Sequence, residues 1–136
     1  MVMKKALYFL FCFTLFLFVS CNRFGKKIKI SDRTDIYMRD NSVTEAEARL
    51  LGNYIDGVYQ SEYARRFQIS KDSGIYNIRM IVDKGEFERN PALNQSYMAL
   101  RFLIQTKVFP SSKVKLMLSN DEFQEYKTIK DTSYVQ

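Results

Sequence analysis

Between residues 34 and 130 the spacing of apolar residues switches repeatedly between two and three-to-four, and capping or turn residues mark each switch. A period of two buries one face of a strand and a period near 3.6 buries one stripe of a helix, so the order of periods is an order of elements. Residues 35–39 alternate weakly and predict a first strand, after which Asp40-Asn41-Ser42 turns the chain. Thr44, with Glu47 three residues on, is a capping box, and Val43 can staple to Ala48. Ala48, Leu51, Ile55 and Val58 continue as one apolar stripe. Gly52 interrupts this helix at a cost of roughly 1 kcal/mol relative to alanine, which predicts close approach of the helix backbone to a sheet. Gly57 marks its fraying end.

Residues 64–70 alternate Phe67 and Ile69 with Arg66, Gln68 and Ser70, and residues 75–82 alternate again. Lys71-Asp72-Ser73-Gly74 supplies the turn between them, with glycine where positive φ is needed. Asp83-Lys84-Gly85 closes the hairpin. Asn90 as cap and Pro91 in the first turn predict a second helix with Leu93, Tyr97, Leu100, Ile104 and Val108 as its stripe, ending at Pro110. Val114, Leu116 and Leu118 predict a fourth strand, and residues 126–130 a short last one. The main order is β-α-β-β-α-β, which predicts an α+β domain of ferredoxin-like plan, an antiparallel sheet with two helices on one face. The second face of that sheet would then be open, carrying Tyr37, Arg66, Gln68, Asn77, Arg79, Lys113, Lys115 and Met117 by strand parity.

The chain begins with Lys4-Lys5, an apolar run over residues 6–19, and Ser20-Cys21. A basic start and about fourteen apolar residues have the proportions of a signal peptide, and the run falls short of the roughly 20 residues that span a bilayer. Phe18-Val19-Ser20-Cys21 resembles a bacterial lipobox, with Phe18 an unusual first residue. The expectation is a signal peptide over residues 1–20 and a lipid-modified Cys21; an uncleaved anchor is the competing reading. Cys12 falls in the leader, so the folded part has no cysteine and no disulfide. Its length suffices for one hydrophobic core.

The net charge of +6 suggests nucleic acid until it is divided along the chain. From Thr34 onward fourteen Lys/Arg face fourteen Asp/Glu, while Arg23, Lys26, Lys27, Lys29 and Arg33 stand against Asp32 alone. The surplus therefore sits in residues 1–33, and no nucleic-acid partner is expected. Residues 21–33 read as a polar tether whose cations either meet anionic headgroups or are simply solvated. A domain over 34–130 and a polar tail over 131–136 complete the plan.

Chemistry is constrained by what is missing. With no histidine and no cysteine in the domain, the commonest general base, metal ligand and thiol nucleophile are absent, so no catalytic residue, metal or cofactor is expected. The acidic pairs have plain explanations: Glu45 and Glu47 suit a helix N-terminus, Glu86 and Glu88 a solvated loop, Asp121-Glu122 a turn. Tyr54, Tyr59, Tyr63, Tyr76, Tyr97 and Tyr126 fit packing at element margins, though a ligand groove could use the same side chains. The candidate binding face is Tyr37, Arg66, Gln68, Asn77, Arg79, Lys113 and Lys115.

The run from Val43 to Ile55, with the pattern V-T-x-x-E-A-x-x-L-G-x-Y followed by an aliphatic residue, resembles the opening helix of a small uncharacterised bacterial domain. Phe67-Gln68-Ile69, Tyr76 with residues 79–82, and Asp121 to Phe123 extend the resemblance, which implies a fold and no activity. The expectation is an envelope lipoprotein, anchored through Cys21 to membrane lipid and facing the periplasm from the outer membrane. It would act as a non-catalytic module that binds an envelope protein, or alternatively a small ligand or anion.

Overall fold

The Thr44 hydroxyl accepts the Glu47 N–H at 3.2 Å, and the Glu47 carboxylate accepts the Thr44 N–H at 2.7 Å. This closed capping box satisfies first-turn donors that no helical carbonyl reaches, and it starts α1 (Glu45–Val58). Ala48, Leu51, Gly52 and Ile55 are buried. Val58, expected to finish the stripe, is exposed because it is the last helical residue and Tyr59 is already extended. The computed structural model describes residue 3 and residues 23–59 and 62–130. The rest of the leader, Cys21 and the tail over 131–136 lie outside the described residues.

Six strands form one sheet in sequence order: β1 (Lys26–Lys29), β2 (Thr34–Met38), β3 (Arg65–Asp72), β4 (Ile75–Ile81), β5 (Lys113–Ser119) and β6 (Glu125–Thr128). Ser73 (φ 50°) and Gly74 (φ 77°) make a two-residue turn between β3 and β4, both in the left-handed region that matches strand twist. The α+β class stands, but the sheet is not the ferredoxin-like one expected. There β2 and β3 would be separated by another strand, whereas here they pair directly and in parallel, as do β4 and β5. The reason lies in the two short strands: β1 closes the outer edge of β2 and β6 that of β5, both antiparallel. Those edges are where the ferredoxin-like order would need other partners.

The expected tether is corrected by the same observation. Residues 26–29 are a strand, Ile28 is buried in the core, and Ile30 packs against it. The basic residues there also find acids within the domain: Lys26 with Glu45, Lys27 with Asp35, and Lys29 with Asp32, each at 3.2 Å. Gly52 meets the expectation of close approach, because a Cβ built on it would collide with the Ile30 side chain and come within 3.0 Å of Ile36 Cγ1.

Asp83 does not close the hairpin. It caps a short helix, α2 (Lys84–Arg89), by accepting the Glu86 N–H at 2.7 Å. Asn90 ends that helix instead of starting the next one; its N–H donates to Glu86 O at 3.1 Å. Then α3 (Ala92–Leu103) runs into a π-helical turn, Ile104–Val108, closed by Phe109 N–H donating to Ile104 O at 3.1 Å. Leu100, Ile104 and Val108 join Ala48, Leu51 and Ile55 over the face formed by Ile36, Phe67, Ile69, Ile78, Leu116 and Leu118. Among the described residues, α1, α3 and the π-helical turn therefore lie on one side of the sheet, and α2 joins them through Phe87, which packs against the same core.

Candidate functional site

The other side carries the residues expected from strand parity. Register places Tyr37, Gln68, Arg79 and Met117 in one row across β2 to β5, and Asn77 opposite Lys115 in the next. Two segments outside the regular elements fold over this face. Residues 23–25 come in from one side, and the loop between β5 and β6 from the other. Their rings meet on the sheet: Phe24 and Phe123 are 5.6 Å apart, and Tyr37 lies 6.3 Å from Phe24 and 5.5 Å from Phe123. Gln68 Nε2 donates to Phe24 O at 2.9 Å, so a polar side chain on the face holds the covering segment. Gly25 is required here: its φ is 93°, and a Cβ would collide with Met38 O.

Phe123 has φ 56°, a left-handed conformation costing a non-glycine residue about 1–2 kcal/mol. Asn120 holds it there by accepting N–H groups of Glu122 (3.0 Å) and Gln124 (2.9 Å), while Phe123 N–H donates to Asn120 O at 3.1 Å. Strain maintained at a side chain that covers a polar face is a feature of binding sites.

Beside the aromatic bridge runs a groove with Arg79 at its floor. One part, about 500 Å³, lies between Phe24, Gln68, Phe123 and Arg79; a second, about 560 Å³, continues past Arg79 to Asn77, Lys115 and Ser70. Arg39 and Glu125 border both. The Arg79 side chain is 15 % exposed, its Nη2 stands 3.8 Å from Glu125 Oε2, and its buried Nη1 has no hydrogen-bond partner among the described residues. Burial first, and then the like charge of Arg39, lower the Arg79 pKa, with Glu125 opposing. An arginine remains charged regardless, so the shift expresses positive charge held without full compensation. Arg39 and Lys115 make no ion pair among the described residues, whereas Arg23 on the rim is paired with Glu122 at 3.1 Å.

Of the seven face residues read from the sequence, Gln68, Asn77, Arg79 and Lys115 line the groove, and Tyr37 packs edge-on and tilted against Phe24 and Phe123 beside it. Arg66 and Lys113 do not join them. Arg66 sits beside Asp35 toward the other end of β3, and Lys113 borders a separate depression of about 350 Å³ with Arg101 and Gln105. Sequence reasoning missed Phe24, Arg39, Phe123 and Glu125: Phe24 and Phe123 lie outside the predicted strands, Glu125 lies one residue before the predicted last strand, and Arg39 ends the predicted first one at the same parity as Tyr37. The available signal was an aromatic residue before glycine in an otherwise polar segment, followed by the alternation Lys27-Ile28-Lys29-Ile30.

Among the described residues no group of three or more His, Cys, Asp or Glu could hold a metal ion, and no helix is long and apolar enough to cross a membrane. The tyrosines named from sequence mostly pack: Tyr76 stacks on Phe109 with centroids 3.8 Å apart and donates to Glu47, while Tyr126 donates to Val82 O at 2.9 Å.

This is an open, grooved sheet face on an α+β domain. A family model described as a family N-terminal domain matches residues 27–131, and the chain belongs to that family. The match begins inside β1, which agrees with that strand being part of the domain. No curated protein and no solved structure matches the chain.

Proposed function

We propose that the protein is a non-catalytic recognition module, tethered in the cell envelope through a lipid on Cys21, that binds an envelope protein through the open sheet face. The observation that carries this reading is the groove floored by Arg79, an incompletely compensated charge at the base of a concave, aromatic-edged surface. The main hydrophobic core lies on the opposite face. Position supports the tether. Arg23, on the groove rim, is two residues from Cys21, and two residues of chain reach at most about 7 Å. A lipid on Cys21 would therefore hold the groove mouth at the membrane surface, which suits a partner embedded in or resting on the same membrane.

Two measurements test the reading. Cys21→Ser should abolish lipid labelling and release the protein from the membrane fraction; retention with unchanged labelling removes the tether. A photo-crosslinking residue placed at Lys115 in intact cells should capture a defined neighbour, and the same residue at Leu50, on the outer helical surface, should not. Equal capture from both positions means that the open face is not the recognition surface.

A further inference from the structure

Resting on the reading of the open face as the recognition surface, we propose that Arg79 and Arg39 form a carboxylate-binding site, taking an acidic group of a partner polypeptide laid in the groove. Three observations carry it. The first is charge: two guanidinium groups face the same groove, one of them largely buried, and Lys115 adds a third cation in its continuation. The acids nearby are mostly engaged, Glu122 with Arg23 and Asp40 with the N–H and hydroxyl of Ser42. The second is the unsatisfied Nη1 of Arg79, since a buried arginine donor ordinarily has a partner.

The third observation selects a carboxylate. Glu125, at the start of β6, already directs Oε2 at Arg79 Nη2 but stops at 3.8 Å, beyond hydrogen-bonding distance. The chain thus holds its own carboxylate at the approach to Arg79, close enough to lower the electrostatic cost and too far to bond. An incoming carboxylate could form the paired N–H···O bonds that Glu125 does not, with Arg39 closing from the side. Glu125 would then be a competitor that the partner displaces. Phe24 and Phe123 line the groove beside the site, and a partner laid against these rings would exclude water from part of the approach, which strengthens such bonds.

The test is an NMR titration of the full-length protein in detergent with sodium acetate, at constant ionic strength balanced by chloride, following the arginine Nε–Hε signals. Saturable shifts are expected at Arg79 and Arg39. Arg79→Met should weaken acetate binding about tenfold, the loss of one charged hydrogen-bonding group. Arg39→Gln should weaken it about threefold and Glu125→Gln strengthen it about threefold, as expected of exposed charges. Should Arg79→Met fail to fold, the opposite signs of the other two variants decide the matter. The proposal is overturned if no saturable shift occurs, if Glu125→Gln weakens binding or leaves it unchanged, or if inorganic phosphate binds the same arginines more tightly than acetate; that last result would assign a phosphate site, such as a lipid headgroup supplies. Capture of a partner from Lys115 without acetate binding removes the carboxylate site alone. Acetate binding without any partner leaves the site standing and removes the recognition reading.

Discussion

Single residues here act mainly through what surrounds them, and two glycines of one helix make the point. Gly57 has nothing within 4 Å of an added Cβ, whereas Gly52 lies against Ile30 and Ile36. Gly57→Ala should therefore raise stability by about 0.4–1 kcal/mol, through helix propensity and a less flexible unfolded chain. Gly52→Ala should lower it by about 1–3 kcal/mol through overpacking, a difference that urea unfolding of the two variants will resolve. Titration is equally local. Burial and its hydrogen bond to Glu47 push the Tyr76 hydroxyl up to about 12. The folded state thus keeps a proton that the unfolded state releases near 10, so stability should fall as pH rises from 10 toward 12. Tyr76→Phe should reduce that alkaline loss, and what remains belongs in part to Tyr126, which is raised to the same range. Glu47 behaves oppositely: burial alone would raise its pKa, but hydrogen bonds from Tyr76 and Thr44, with Lys71 nearby, hold it below its usual 4.5. Its contribution is present above about 4.5 and should disappear as pH falls through the lower folded value, a step that Glu47→Gln removes from an acid unfolding series.

At the level of elements, local signals were read correctly where the chemistry is local. The Thr44 capping box, the positive-φ turn at Gly74 and the alternation of β3, β4 and β5 depend on residues within a few positions of one another, and all three formed. Elements whose signal is short or whose partner is distant were missed. β1 has four residues and one buried side chain, Ile28, so its charge outweighed its pattern. α2 has six residues, none buried, and its Asp83 cap passed for a turn. The strand character of β1 has a direct test: Ile28→Ala should cost about 2–5 kcal/mol if Ile28 is a core residue, and nothing if residues 26–29 were a solvated tether. Thermal unfolding of the full chain distinguishes the two.

For the whole molecule, the division of labour between the two sheet faces is the main consequence of the fold. One face holds the core and the helices between residues 45 and 108, and the other holds the groove, so stability and recognition should be separable. Arg39→Gln is expected to change unfolding free energy by less than about 0.5 kcal/mol while lowering the crosslink yield from position 115. The strand order carries a further peculiarity. The connections β2 to β3 and β4 to β5 advance in the same direction across the sheet on oppositely directed strands, with their helices on the same face. They must therefore have opposite hand, and one departs from the usual right-handed crossover. No periodicity could announce this, because hand depends on which edges are free when the helices dock. The sequence by itself determined the main helices and strands, which strand residues face away from the core, and the placement of surplus positive charge near the N-terminus, since each follows from spacing along the chain. Only the tertiary structure decided that β2 pairs with β3, that residues 26–29 close an edge, and that Phe24, Arg39, Phe123 and Glu125 gather around Arg79. Those contacts join segments as far apart as residues 24 and 123, and pairing over such distances is set by the packing of the whole sheet.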